Sequence, residues 1–334
     1  MKISFKKYAS EPYLNELTKL WHWYQSSEPY LEVYSSGTSG PAKLIRHPRA
    51  AVLASAQMSV QFFSLTANSK IGLSLPLDKI GGIMLAIRAF LAEAQIVPIN
   101  PQINPLAQLG PEESLDFISL VPNQLMASRK EWNKAKQILV GGGPISAKLE
   151  QEALEAKLDI QFWQSYASTE TISHVAIRKL GKDYYQALKS VSFAVNAQNC
   201  LVINAPSLGI ENLETKDQVE LLDEHQFRWK GRQDNVVLSG GLKLYPEEIE
   251  QKLNLEIPFF LTGLPDDQLG EMLAIAITNR DYKEGIKNEI SLQLSGVERP
   301  KAIIILSEFS YTSTDKIMRT ASLANQQGII DLRN

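Results

Sequence analysis

Hydrophobic and polar positions follow two periods along this chain. Over residues 10–25, Leu14, Leu17, Trp21 and Tyr24 recur at helical spacing, with Ser10 placed as N-cap and Pro12 in the first turn. This predicts an amphipathic helix in which Trp21 and Trp23 are packing residues. Tyr30-Leu-Glu-Val-Tyr34 alternates and is rich in β-favouring types, so it predicts a short strand. A helix opened by proline is predicted from Pro48 to Leu65. Short apolar strands then alternate with helices. The strands are Ile71–Leu75, Ile96–Ile99, Phe117–Val121, Gln137–Val140 and Ile160–Trp163; the helices run from about Ile83 to Glu93 and from Ser146 to Lys157. Gly-rich turns after apolar strands predict a layered α/β domain with a mainly parallel sheet.

From Val191 the pattern changes. Val191–Val195, Cys200–Ile203, Val219–Leu222 and Gln226–Lys230 alternate in short runs and predict antiparallel β. Residues 236–250 predict a hairpin leading into a helix with Pro246 in its first turn. Beyond it, strands Phe259–Thr262, Leu273–Ile277 and Ala302–Leu306, a helix from Tyr282 to Leu294 and a terminal helix predict a small α+β domain. The expected organisation is residues 1–233, residues 235–334, and a joint at Asp234. The overall class is α/β: a large layered N-terminal domain with a mostly parallel sheet and some antiparallel β, plus a small α+β domain.

Composition narrows the function classes. The 334 residues are 44% hydrophobic and 21% charged, with net charge −3, so no basic excess points to nucleic acid or an anionic membrane. A single cysteine, Cys200, excludes an internal disulfide framework and fits a cytoplasmic protein. No apolar run follows the first residues as in a signal peptide, and no window is apolar enough to cross a membrane as a helix. The four histidines and one cysteine form no zinc spacing. Whether the chain self-associates is left open.

The densest chemistry lies between the first strand and the helix after it. Ser35-Ser-Gly-Thr-Ser-Gly-Pro-Ala-Lys43 offers hydroxyl donors, glycines that let the backbone close on an anion, and a lysine charge. The pattern suits a nucleotide-phosphate cradle, yet Ala42-Lys43-Leu44 is not the Gly-Lys-Ser/Thr ending of NTPase P-loops, and a surface loop has the same composition. A second polar stretch, Gln164 to His174, places Glu170 among hydroxyls at a strand end. That suits Mg2+, a hard cation that takes oxygen ligands; from the residues alone a helix start capped at Ser168 is the favoured reading.

Four separated segments, in order, resemble the adenylate-forming enzymes, the superfamily of acyl-CoA synthetases, nonribosomal-peptide adenylation domains and luciferases. They are the 35–43 loop, Tyr166-Ala-Ser-Thr-Glu170, Gly231-Arg-Gln-Asp234 continuing to Pro246-Glu-Glu-Ile-Glu250, and Thr312-Ser-Thr-Asp-Lys316-Ile-Met-Arg319. Gly141-Gly-Gly-Pro144 and Thr215-Lys-Asp217 match weaker elements. The resemblance implies that a carboxylate attacks the α-phosphate of Mg-ATP to give an acyl-adenylate, and that a thiol, usually coenzyme A, then displaces AMP. It implies that Lys316 offsets the repulsion between the two anions. Ser36, Gly37, Thr38, Ser39, Gly40 and Lys43 would hold the β/γ-phosphates, Thr169 would touch phosphate and Glu170 would hold Mg2+. Gly142 and Gly143 would approach the adenine and Tyr166 would stack on it. Asp217, assisted by Arg232, would bond the ribose, and Asp234 would be the hinge of a mobile C-terminal domain.

The chain departs from the pattern at Ala167 (usually Gly), Lys216 (usually Gly), Asp315 (usually Gly) and Pro41-Ala42, whose order is inverted. Only about 30 residues precede the phosphate loop, fewer than in typical members. A short chain of this kind resembles compact o-succinylbenzoate–CoA ligases of menaquinone biosynthesis, whose motifs are similar to Tyr166–His174 and to Pro76-Leu-Asp-Lys-Ile-Gly-Gly82, with Lys79 in place of His. That substrate carries two carboxylates, one activated and one held. Lys79 and Arg88 are candidates to hold the second, and Ser173 or His174 to line the pocket; Arg88, on a predicted helix, also reads as part of a solvated face. The alternatives are a ligase for another aryl or acyl carboxylate, and a noncatalytic adenylate-binding homologue.

Overall fold

The computed structural model describes residues 8–34, 44–255, 257–279, 285–312 and 317–333. Helix α1 (Glu11–Gln25) buries Tyr13, Leu17 and Leu20. Leu14, Trp21 and Tyr24 are only partly covered, and Ser10 sits at the N-cap without a side-chain cap bond. Strand β1 (Tyr30–Tyr34) pairs antiparallel with β2 (Leu44–Pro48), Leu31 opposite His47. Pro48 therefore ends a strand rather than opening a helix: its ψ of 133° is extended, and α2 (Arg49–Phe62) starts one residue later.

The chain then alternates as expected: β3 (Lys70–Leu73), α3 (Ile80–Leu91), β4 (Gln95–Pro98), β5 (Leu115–Leu120), α4 (Pro122–Ala127), β6 (Ala135–Val140), α5 (Ala147–Glu155) and β7 (Gln161–Ala167). Ser146 caps α5 by accepting from the Leu149 N–H at 3.3 Å, which supplies one of the unpaired donors of the first turn. Strands β3 to β7 are mutually parallel in the spatial order β4-β3-β5-β6-β7. Both faces of this half are covered. Phe117 and Leu139 pack with the α1–α3 side, while Ile118, Leu120, Ile138 and Val140 pack with α4 and α5. That two-sided burial explains why these strands read as continuous apolar runs. Gly82 lets α3 begin against the preceding turn, because a Cβ there would stand 2.1 Å from the Pro76 carbonyl oxygen.

The sheet continues antiparallel through β8 (His174–Lys179), β9 (Tyr185–Ala187), β10 (Ser192–Val195), β11 (Cys200–Ala205), β12 (Ile210–Asp223) and β13 (Gln226–Arg232), making eleven strands in all. It is one mixed sheet, parallel on the β4 side of β7 and antiparallel beyond it. Segment 168–173 is a turn from β7 into β8 and not the start of a helix.

A second sheet of six strands has its own core on each face. Hairpin β14 (Val237–Ser239) and β15 (Leu242–Leu244) leads into α6 (Pro246–Glu250), followed by β16 (Phe260–Asp266), β17 (Gly270–Thr278), α7 (Ile286–Gln293), β18 (Ala302–Leu306), α8 (Arg319–Leu323) and β19 (Gln326–Asp331). The expected terminal helix is only the five-residue α8. The chain ends instead in β19, which adds to β18 with Ala302 opposite Asp331 and Ile304 opposite Ile329.

Candidate active site

The loops after the parallel strands β6 and β7 carry the candidate site, at the strand ends where open α/β sheets present ligands. After β6, Gly142 takes φ +81°, a left-handed conformation that glycine adopts without strain, and the Gly143 carbonyl accepts a long contact of 3.5 Å from the Gln164 side chain. At the end of β7, Tyr166 donates its hydroxyl to Asp217 Oδ2 at 2.6 Å. The Tyr166 ring lies edge-on to Phe227 and Tyr185. Burial and then the neighbouring Asp217 push its hydroxyl pKa well up, so it remains a proton donor.

Asp217 is on β12, not in a turn, and lies opposite Arg232 of β13. The Arg232 guanidinium stands 3.7 Å from Asp217 Oδ1 and 3.6 Å from Asp234. Trp229, a residue with no local signal of function, donates its indole N–H to Asp217 Oδ1 at 3.2 Å. Two donors thus fix the carboxylate in orientation while each oxygen keeps lone-pair capacity for a further partner. Lys216 explains its own presence: its ammonium lies 3.1 and 3.2 Å from the two oxygens of Asp234.

Thr169 is half-buried and Glu170 exposed in the turn between β7 and β8. Behind them stands His47 of β2, buried beside the Thr169 backbone, with its Nε2 unpartnered among the described residues. Burial lowers its pKa, against the opposing pull of Glu170. An exposed carboxylate beside a hydroxyl fits Mg2+, which usually keeps one or two protein carboxylates and takes its other ligands from phosphate and water. Among the described residues no group of three or more acidic, His or Cys ligands exists, so a closed all-protein cage is not present there.

The substrate candidates divide. Lys79 is the residue before α3, half exposed, and paired with Asp78 at 3.1 Å. Arg88 lies nine residues further along the same helix, about 13 Å away along its axis. Lys79 and Arg88 are therefore not brought together. Nor is Arg88 on a solvated face: it is 2% exposed. Its Nη2 donates to Ser173 Oγ in a short hydrogen bond and lies 3.5 Å from His174 Nδ1, while its Nε has no partner among the described residues. Burial pulls its pKa down to about 9, which still leaves it charged at neutral pH. No carboxylate among the described residues pairs with it. His174, expected to line the pocket, stands behind Arg88: it is 3% exposed, and its Nε2 is 2.7 Å from Ser59 Oγ of α2.

Asp234 follows the end of β13 in a short turn, ahead of hairpin β14–β15. Gly231 approaches the helix after that hairpin, and a Cβ there would meet Glu247 Oε2 at 2.5 Å. Arg319, at the end of the last motif, ties that motif to the same helix through Glu250 at 2.9 Å and Glu247 at 3.4 Å, and to β16 through the Leu261 carbonyl at 2.6 Å. Burial raises the Glu250 pKa to about 7, with Arg319 opposing. Ser36, Gly37, Thr38, Ser39, Gly40, Lys43 and Lys316 lie outside the described residues.

No described helix is long and apolar enough to cross a membrane. Comparison with known proteins finds the AMP-binding enzyme family matching residues 6–210. A 2-succinylbenzoate–CoA ligase of Listeria monocytogenes is 24% identical over 95% of this chain and 74% of its own length. A solved structure described as an acyl-CoA synthetase (AMP-forming)/AMP-acid ligase II-like protein, from Dyadobacter fermentans, is 29% identical and covers 96% of both chains with a TM-score of 0.64. The o-succinylbenzoate coenzyme A synthetase of Bacillus subtilis, solved with ATP and magnesium ion, is 19% identical over 87% of this chain and 69% of its own, with a TM-score of 0.75. The match to residues 6–210 covers more than half of the chain, which belongs to the AMP-binding enzyme family.

Proposed function

We propose that this protein is an ATP-dependent acid–thiol ligase whose acid is an aromatic dicarboxylate, with o-succinylbenzoate as the leading substrate and coenzyme A as the thiol. The observation that carries the choice of acid is Arg88. A buried guanidinium with no carboxylate partner among the described residues is costly in the free protein. An anionic group on the substrate would offset that cost by pairing with it bidentately. The names of the Listeria and Bacillus proteins agree with an acid of this kind.

In this reading one substrate carboxylate is held by Arg88 and Ser173, and the other faces the α-phosphate of ATP. Gly142 and Gly143 let the backbone approach the adenine, and Tyr166 packs against it. Asp217, fixed by Tyr166 and Trp229, accepts from the ribose hydroxyls. Thr169 would contact phosphate, Glu170 would hold Mg2+, which would supply charge neutralisation on the phosphates, and Ser36, Gly37, Thr38, Ser39, Gly40 and Lys43 would hold the β/γ-phosphates. Lys316 would lie between the attacking carboxylate oxygen and the α-phosphate, where negative charge accumulates. The carboxylate oxygen forms a bond to phosphorus as the bond to pyrophosphate breaks; the thiolate of coenzyme A then attacks the acyl carbon and AMP leaves.

The two steps need different partners at one site, so residues 235–334 are read as a mobile unit turning about Asp234 against residues 1–233. Asp234→Pro is expected to slow thioester formation more than adenylate formation, measured as CoA-thioester yield against pyrophosphate release; equal losses would argue against the hinge. The reading as a whole is tested by mass spectrometry of the product from ATP, coenzyme A and a panel of aromatic mono- and dicarboxylates. A CoA thioester of the dicarboxylate is expected, and a product only from a monocarboxylate would move the substrate class.

A further inference from the structure

We infer that Ser59 is a positioning residue for the acid pocket: through His174 it fixes the direction in which the Arg88 guanidinium points. The inference rests on the proposed pocket around Arg88 and extends it to a residue on a different helix. Ser59 is fully buried on α2, and no local motif surrounds it. Its Oγ makes two contacts, 3.3 Å to the Ser55 carbonyl and 2.7 Å to His174 Nε2. The other imidazole nitrogen, Nδ1, faces Arg88 Nη2 at 3.5 Å.

The proton directions follow from chemistry. Nδ1 lies 3.5 Å from both Arg88 Nη2, which can only donate, and Ser173 Oγ, which accepts from Arg88 and can donate its own proton, so Nδ1 is assigned as the accepting, unprotonated nitrogen. The ring is kept neutral by burial and by the charge of Arg88 beside it, so its one N–H is on Nε2. Nε2–H then donates to Ser59 Oγ, and the single Ser59 hydroxyl proton goes to the Ser55 carbonyl one helical turn back. The contacts form one directed chain: Arg88 to His174 to Ser59 to Ser55. Phe63 closes the ring's other side, edge-on at 6.1 Å between centroids. With Nη2 held by His174 and Ser173, the Nε and Nη1 donors are left for a ligand. The opposite tautomer would set Nδ1–H against a guanidinium N–H and swing the guanidinium away.

The test is Ser59→Ala in the full-length protein, read three ways. Histidine 15N NMR of the free protein should show His174 as the Nε2–H tautomer in the wild type and a tautomer mixture in the variant. KM for the dicarboxylate should rise about tenfold, the loss of one buried hydrogen bond, with KM for ATP and kcat within about twofold. The half-ester lacking the second carboxylate should show no such change. Ser59→Thr, which keeps the hydroxyl, should restore the tautomer and most of the KM. An Nδ1–H tautomer in the wild type, or an equal KM rise for the dicarboxylate and its half-ester, would overturn the inference. If the wild type activates no dicarboxylate, the proposed function fails; the tautomer measured by NMR still decides the chain from Arg88 to Ser55.

Discussion

Arg88→Met is expected to lower kcat/KM for an aromatic dicarboxylate by about 10²–10⁴-fold, the loss of one buried, hydrogen-bonded charge pair at roughly 3–5 kcal/mol. The same change should stabilise the free protein by about 1–4 kcal/mol, because methionine fills a similar volume without a buried charge. Opposite signs for activity and stability separate a binding role from a structural one. Arg88 is 2% exposed, with Nε unpartnered among the described residues, so its charge is a burden in the ligand-free protein. A merely structural arginine would lose both properties together. Pyrophosphate release and urea unfolding midpoints measure the two effects; a variant that is less stable and fully active would contradict the assignment.

The second large effect is at the last motif. Lys316→Ala is expected to lower adenylate formation by about 10³–10⁵-fold while leaving ATP affinity nearly unchanged, as for other cations that act on the charge of a transferring phosphoryl group. The motif's next cation, Arg319, bonds Glu250 and the Leu261 carbonyl, which anchors the C-terminal end of that segment to the second sheet. Single-turnover formation of acyl-AMP together with ATP binding by calorimetry separates chemistry from affinity. Adenylation at the wild-type rate in the variant would remove the lysine from the mechanism.

Much of the fold was legible because burial leaves a local imprint. Strands β5 and β6 carry apolar side chains on both faces, so they read as parallel core strands. Strand β2 was not read, since Pro48 signals a helix start and only pairing with β1 makes Leu44–Pro48 extended. Strand β19, with its glycine and two glutamines, depends on β18 in the same way. In the site, ordered motifs led to Tyr166, Asp217 and Arg232, and the structure brings these three together. Arg88 taken alone suits a solvated face, but α3 holds an overriding signal: residues 83–90 are all buried, so no solvated face exists there. Ser59 and Trp229 left no signal. The Ser59–His174 contact joins residues 115 apart, and Trp229 meets Asp217 only through strand pairing.

In this reading the acid carries a second carboxylate recognised by Arg88. The most direct measurement is pyrophosphate release with Mg-ATP, comparing o-succinylbenzoate with its half-ester and with aryl and fatty monocarboxylates, with and without coenzyme A. Release that depends on the free dicarboxylate is expected, with a CoA thioester when the thiol is present. Equal release with the half-ester or a fatty acid would contradict it.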